Sequence, residues 1–154
     1  MDQAQFLAAI EAVFAQSPSG SGNLIDRMHY TNDGVLGTAS ETCGTIGFGI
    51  AAEISPSQNV LSTVSDLNRL MTFGHYWLAE GADNSNWSLV CGFKFQHETS
   101  NVQQVIEISA GLVQHSRVIV DSAREQLGDA SHRQYWLDDV PAEAQALILT
   151  GHLG

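Results

Sequence analysis

Six histidines and two cysteines are the side chains of this 154-residue chain best suited to chemistry. His29, His75, His97, His115, His132 and His152 never fall in an HxH, HExxH or HxxxH spacing, so no local pattern presents two imidazoles to one metal ion. Cys43 and Cys91 stand too far apart for a CxxC site, and two thiols do not make a disulfide framework. Each sits in an apolar, strand-like stretch, where a free thiol behaves as a small hydrophobe. His97-Glu98 reads as a surface pair rather than an acid–base couple, and His75, inside an aromatic run, as a packed imidazole rather than a ligand. Asp138-Asp139 is an adjacent pair whose side chains point apart. Both precede Pro141, so the simpler account is complementation of a helix N-terminus.

The run Cys43-Gly44-Thr45-Ile46-Gly47-Phe48-Gly49 is rich in glycine but lacks the Gly-Lys-Ser/Thr ending of a phosphate loop and the spacing of a dinucleotide fingerprint. No Gly-x-Ser-x-Gly elbow is present. These residues predict no catalytic group, no metal and no cofactor.

Charge narrows the partners. There are 17 Asp and Glu against 6 Lys and Arg, a net charge of −11. Phosphate neutralisation needs clustered cations, and Arg27, Arg69, Lys94, Arg117, Arg124 and Arg133 are spread singly. Nucleic acid and anionic bilayers are therefore excluded as expected partners. The acidity reads first as solubility and second as a negative surface for a basic partner. No basic segment leads into an apolar run at the N-terminus, and no stretch approaches the ~20 apolar residues of a membrane span. A soluble, cytoplasmic protein is expected.

The elements that must position these residues can be read from periodicity. Phe6, Ile10, Val13 and Phe14 recur at helical spacing over 2–16, with Asp2 and Gln5 as a capping box. The polar run 17–22 ends that helix. Residues 24–30 read as one strand, Asn32-Asp33-Gly34 as a turn, and Val35–Ala39 as a short return strand. In 43–54, Ile46, Phe48, Ile50, Ala52 and Ile54 share one face by the period of two. Thr45, Gly47, Gly49 and Ala51 leave the other face nearly bare, which calls for a packed helix or neighbouring subunit, or else for a bulge or a solvent-facing edge. Ser55, Pro56 and Gln58 signal the start of a second helix, with Val60, Val64, Leu67 and Met71 as its apolar stripe and Asp66 and Asn68 on its solvated face. Residues 73–79 and 87–96 read as a hairpin. Ser100 with Gln103 begins a third helix that runs to Leu127 and stops at Gly128.

The chain thus predicts an α+β fold, a mainly antiparallel sheet packed by helices in the order α-β-β-β-α-β-β-α, with a C-terminal helical tail. Residues 1–128 form the domain. Residues 129–154 form the tail, with a short helix opening at Pro141. Tyr135, Trp136 and Leu137 make an aromatic knot there, which either anchors a partner or folds back over the domain's own apolar face.

The segment Val64-Ser65-Asp66-Leu67-Asn68-Arg69-Leu70-Met71-Thr72-Phe73-Gly74-His75-Tyr76-Trp77-Leu78 resembles the helix-to-strand junction of the YbjN-like family. That family is described as bacterial sensory transduction regulators and shares its fold with type III secretion chaperones. Leu67, Asn68, Phe73 and Gly74 carry the likeness, and the order of elements extends it over residues 2–127. The resemblance implies antiparallel strands packed by helices, in a dimeric, acidic protein that binds other proteins and performs no catalysis. The tail from Asp129 and the strand around Gly47 and Gly49 depart from the family's pattern.

The resulting expectation is a non-catalytic protein-binding module, chaperone-like or regulatory, acting as a homodimer on a client or partner polypeptide. The alternative is a small-molecule sensor or cryptic enzyme with a pocket between hairpin and helix, where His75, Arg69 and Glu80 are the nearest candidates. A structural subunit of a larger assembly is a third.

Overall fold

The computed structural model describes residues 1–25, 28–55, 57–71, 74–80, 87–128 and 133–134, with residues 25, 80, 133 and 134 described by their backbone alone. The chain is α+β: helix α1 (Gln3–Phe14), strands β1 (Ser21–Ile25), β2 (Met28–Thr31), β3 (Leu36–Ala39) and β4 (Cys43–Ile54), helix α2 (Gln58–Leu70), strands β5 (His75–Glu80) and β6 (Trp87–Gln96), helix α3 (Val102–Leu127), and a two-residue strand β7 (Arg133–Gln134). The strands form one antiparallel sheet in the order β1-β2-β3-β4-β6-β5. β7 pairs with β4 at Ala51 and Ala52.

The expected order holds with one addition. The stretch read as a single strand over 24–30 is a hairpin, with Ile25 opposite Met28 across residues 26 and 27. A connection that short leaves no break in composition long enough to read as a loop.

Helix starts obey capping chemistry. Asp2 accepts from the Gln5 N–H at 2.8 Å while Gln5 Oε1 accepts from the Asp2 N–H at 2.9 Å, the expected reciprocal box. The α2 start is corrected from Ser55 to Ser57, whose Oγ accepts from the Val60 N–H at 3.3 Å. The Ser57 N–H is turned back to the Ser55 carbonyl at 2.7 Å, which keeps Ser55 outside the helix. The α3 cap is corrected from Ser100 to Asn101, which exchanges hydrogen bonds with Gln104. Ser100 instead donates its N–H to Gln96 and closes the turn after β6. Asn is as strong a cap as Ser, so the turn decides between them. Gly128 ends α3 at φ +63°.

The core lies between one face of the sheet and the helices. Phe6, Ile10 and Phe14 of α1, Val105, Leu112 and Val120 of α3, and Ile46, Phe48, Leu89, Cys91 and Phe95 of the sheet are all buried. Gly44 gives the Phe6 ring its place, since a Cβ there would collide with the ring. Val102, in the first turn of α3, is exposed.

The alternation in β4 runs only through Phe48. Two register shifts against β6 come after it, between Gly49 and Ala51 and between Ala51 and Ile54, and Glu53 sits at φ +58°. Each inserted residue reverses the facing of the residues beyond it, so Ala51 joins Ile50 and Ile54 in the core. At this irregular stretch Arg124, 5% exposed, donates from Nε to the Ile50 carbonyl at 2.8 Å and ties the end of α3 to β4.

Candidate functional site

The sheet face turned away from the helices carries the most distinctive surface. One cross-strand row runs Gly22, Tyr30, Leu36, Gly47, Gly92, His75 from β1 to β5. The next row places Gly49 opposite Val90 and Val90 opposite Trp77. Glycines on the two central strands thus make a flat bed between side-chain walls. The backbones meet closely there: a Cβ on Gly92 would collide with the Ile46 carbonyl and with Gly47.

No described helix lies on this bed. Trp77 crosses it instead. The indole, half-buried, packs against Val90 and Ala79 beside it, and also against Leu36, which stands three strands away on β3. At about 4.8 Å per strand, that reach takes the ring over the ground the glycines leave bare. Leu24, Met28 and Tyr30 close around Leu36 from the far side. Lys94 holds its Nζ 5.2 Å from the Trp77 ring centroid, within cation–π range, and the His75 ring lies tilted against the indole with centroids 4.9 Å apart. Burial, and secondarily the Lys94 charge, push the His75 pKa below its ordinary value. The bare face expected from the glycines is therefore real, and both a bulge and an aromatic side chain from within the sheet account for it.

The three residues considered for a hairpin–helix pocket do not converge among the described side chains. His75 is on the far face. Arg69 is solvent-exposed and pairs with Asp66 at 3.2 Å. The Glu80 side chain lies outside the described residues, as do Tyr135, Trp136, Leu137 and the helix expected from Pro141. Among the described residues no three His, Cys, Asp or Glu side chains are grouped to hold a metal ion, and no described helix is long and apolar enough to cross a membrane.

Two readings of single residues need correction. His97 is no surface group: it is 4% exposed, lies tilted against the Phe6 ring at 5.8 Å, and holds Nε2 3.0 Å from the Ser40 carbonyl, while Glu98 is exposed. With the carbonyl as acceptor, Nε2 carries the proton. Asn68 is not on a solvated face. Its side chain pairs with the backbone of Tyr76 on β5. Only its place at a Leu-Asn helix end followed by an aromatic strand hinted at that role. Of the thiols, Cys91 is fully buried and its pKa is pushed up to about 12 by that burial. Cys43 is half-buried, with Sγ 3.4 Å from Ser40 Oγ.

A concavity of about 500 Å³ lies on the helix side of the sheet, between the end of α1 and the middle of α3, with Val13, Ile106, Ala110 and Val113 in its apolar lining. No protein-family model matches this chain, and no curated protein matches it.

Proposed function

We propose that this chain is a non-catalytic protein-binding module, chaperone-like or regulatory, that works as a homodimer and engages a partner polypeptide on the far face of its sheet. The observation that carries the reading is Trp77. A half-buried indole held over a glycine bed, with Lys94 above it, has the character of an interface anchor: a large apolar group, ordered in advance, on a rigid element. Helices packed on an antiparallel sheet are the architecture that the YbjN-like resemblance implies, and the chaperone-like reading is drawn from that resemblance. The net charge of −11 favours basic segments in the partner.

Co-purification from the native cell, with sizing of the material recovered, tests the reading. A defined complex with one or a few polypeptides, weakened by Trp77→Ala, is the expected result. A strictly monomeric protein that recovers no partner would count decisively against it.

A further inference from the structure

We propose that the segment Tyr135-Trp136-Leu137 of this chain docks on the glycine bed of its own sheet, with the Trp136 indole over Gly49. The three residues lie outside the described ones, and β7, directly before them, shows where they are delivered. The inference concerns this chain alone and stands whether or not a partner polypeptide binds.

Topology aims the segment. β6 runs along one edge of β4 from Cys43 to Ile54, so β3 and β7 share the other edge. β3 takes that edge from Gly44 to Gly47, and β7 takes it at Ala51 and Ala52. Both run antiparallel to β4, so the chain leaving Gln134 heads for the start of β3, with only residues 48–50 of β4 between them. Counted on in the β7 register, Trp136 falls opposite Gly49. The edge is already occupied beyond that point, so the chain must turn out of the sheet onto one of its two faces. The helix face is filled: Phe48 and Ile50 are 0% exposed in the core, and Arg124 ties α3 to the Ile50 carbonyl. The other face offers glycine, whose missing side chain admits close approach.

Burial points the same way. On the face of the bed, Leu36 and Val90 are both 0% exposed, and Gly47 and Gly49 are buried. Glycine cannot shield its own backbone or its neighbours, so burial over a glycine bed calls for large apolar groups laid on it. Trp77 is one such group, but it is only half-buried itself. Trp136 supplies the second, entering the row of Gly49, Val90 and Trp77 from the end opposite Trp77. The row that pairs Thr45 with Lys94 lies on the other side of the bed, and Lys94 is exposed. The docked segment therefore leaves the surface around Lys94 open.

Nuclear magnetic resonance of the full chain tests the proposal. In the wild type, nuclear Overhauser contacts are expected between the Trp136 indole protons and the Gly49 Hα protons. A mixture of labelled and unlabelled chains separates contacts within one molecule from contacts between two. Trp136→Ala is expected to move the Gly47 and Gly49 Hα resonances downfield, because the shielding ring is gone, and to leave the Ser62 amide on α2 in place. Circular dichroism confirms that the variant is folded, and the wild-type contacts decide the matter if it is not. No contact between Trp136 and the bed, contacts only between molecules, or glycine resonances unmoved in a folded Trp136→Ala variant would overturn the docking.

Discussion

The side-chain amide of Asn68 pairs with the backbone of Tyr76 as a neighbouring strand would. Nδ2 donates to the Tyr76 carbonyl at 3.0 Å, and the Tyr76 N–H donates to Oδ1 at 2.6 Å. β5 is the last strand of the sheet path, and an edge strand leaves its outer N–H and C=O groups unpaired. One amide from α2 satisfies both groups of Tyr76. It thereby ties α2 to β5, the strand that carries Trp77. Asn68→Ala removes both partners at once and is expected to lower stability by about 1–3 kcal/mol. Asn68→Asp keeps the acceptor and loses the donor. Urea unfolding should show both variants less stable than the wild type at neutral pH, Asp because its second oxygen then faces the Tyr76 carbonyl; a wild-type midpoint in either would mean the pairing contributes nothing specific.

Gly92 sits where two backbones touch. A methyl group there meets the Ile46 carbonyl and Gly47, neither of which can rotate away. Gly92→Ala is expected to cost about 1–3 kcal/mol or more from overpacking, and to broaden the amide resonances of Gly47 and Gly49. Gly44→Ala, whose nearest neighbours are atoms of the Phe6 ring, should be milder if the ring can shift. Denaturation midpoints of the pair give the order.

Much of this architecture was legible in the sequence because it rests on local rules. The Asp2 box, the Gly128 stop, the hairpin of β5 and β6 and the unbroken α3 all come from spacing and capping. The glycines of β4 announced a bare face. The features that the sequence did not reveal depend on distance. Trp77 reaches Leu36 across two intervening strands, and Arg124 reaches the Ile50 carbonyl across 74 residues of sequence. Asn68 looked like helix surface because periodicity locates a side chain around its own helix and says nothing of what passes beside it. His97 looked exposed because a strand end next to a glutamate usually is. The two shifts in β4 escaped because each adds one residue without altering composition.

His75 is expected to titrate below its ordinary value of 6.5. Burial is the larger cause and Lys94 the smaller, so Lys94→Gln should raise the NMR midpoint without restoring it fully. The depressed folded value means that the unfolded chain takes up the proton first. This contribution to stability is therefore complete above 6.5 and is lost as pH falls from there through the folded value. A midpoint at or above 6.5 would contradict the packing of His75 against Trp77 and Lys94.

The two thiols should separate by reactivity. Cys91 is fully buried with its pKa raised to about 12, and only the thiolate reacts. Alkylation under native conditions, read by peptide mass, is expected to modify Cys43 and to reach Cys91 only on unfolding. Equal labelling of both would mean that β6 opens far more readily than a core strand does.

The central claim, that this protein works through surfaces rather than reactive groups, is tested most directly by a photo-crosslinking residue placed at exposed position 94, beside Trp77, with position 62 on α2 as the control. In the native cell, position 94 is predicted to form a covalent adduct with a discrete partner polypeptide that position 62 does not capture. No polypeptide adduct at position 94, or the same adducts at both positions, would contradict the account.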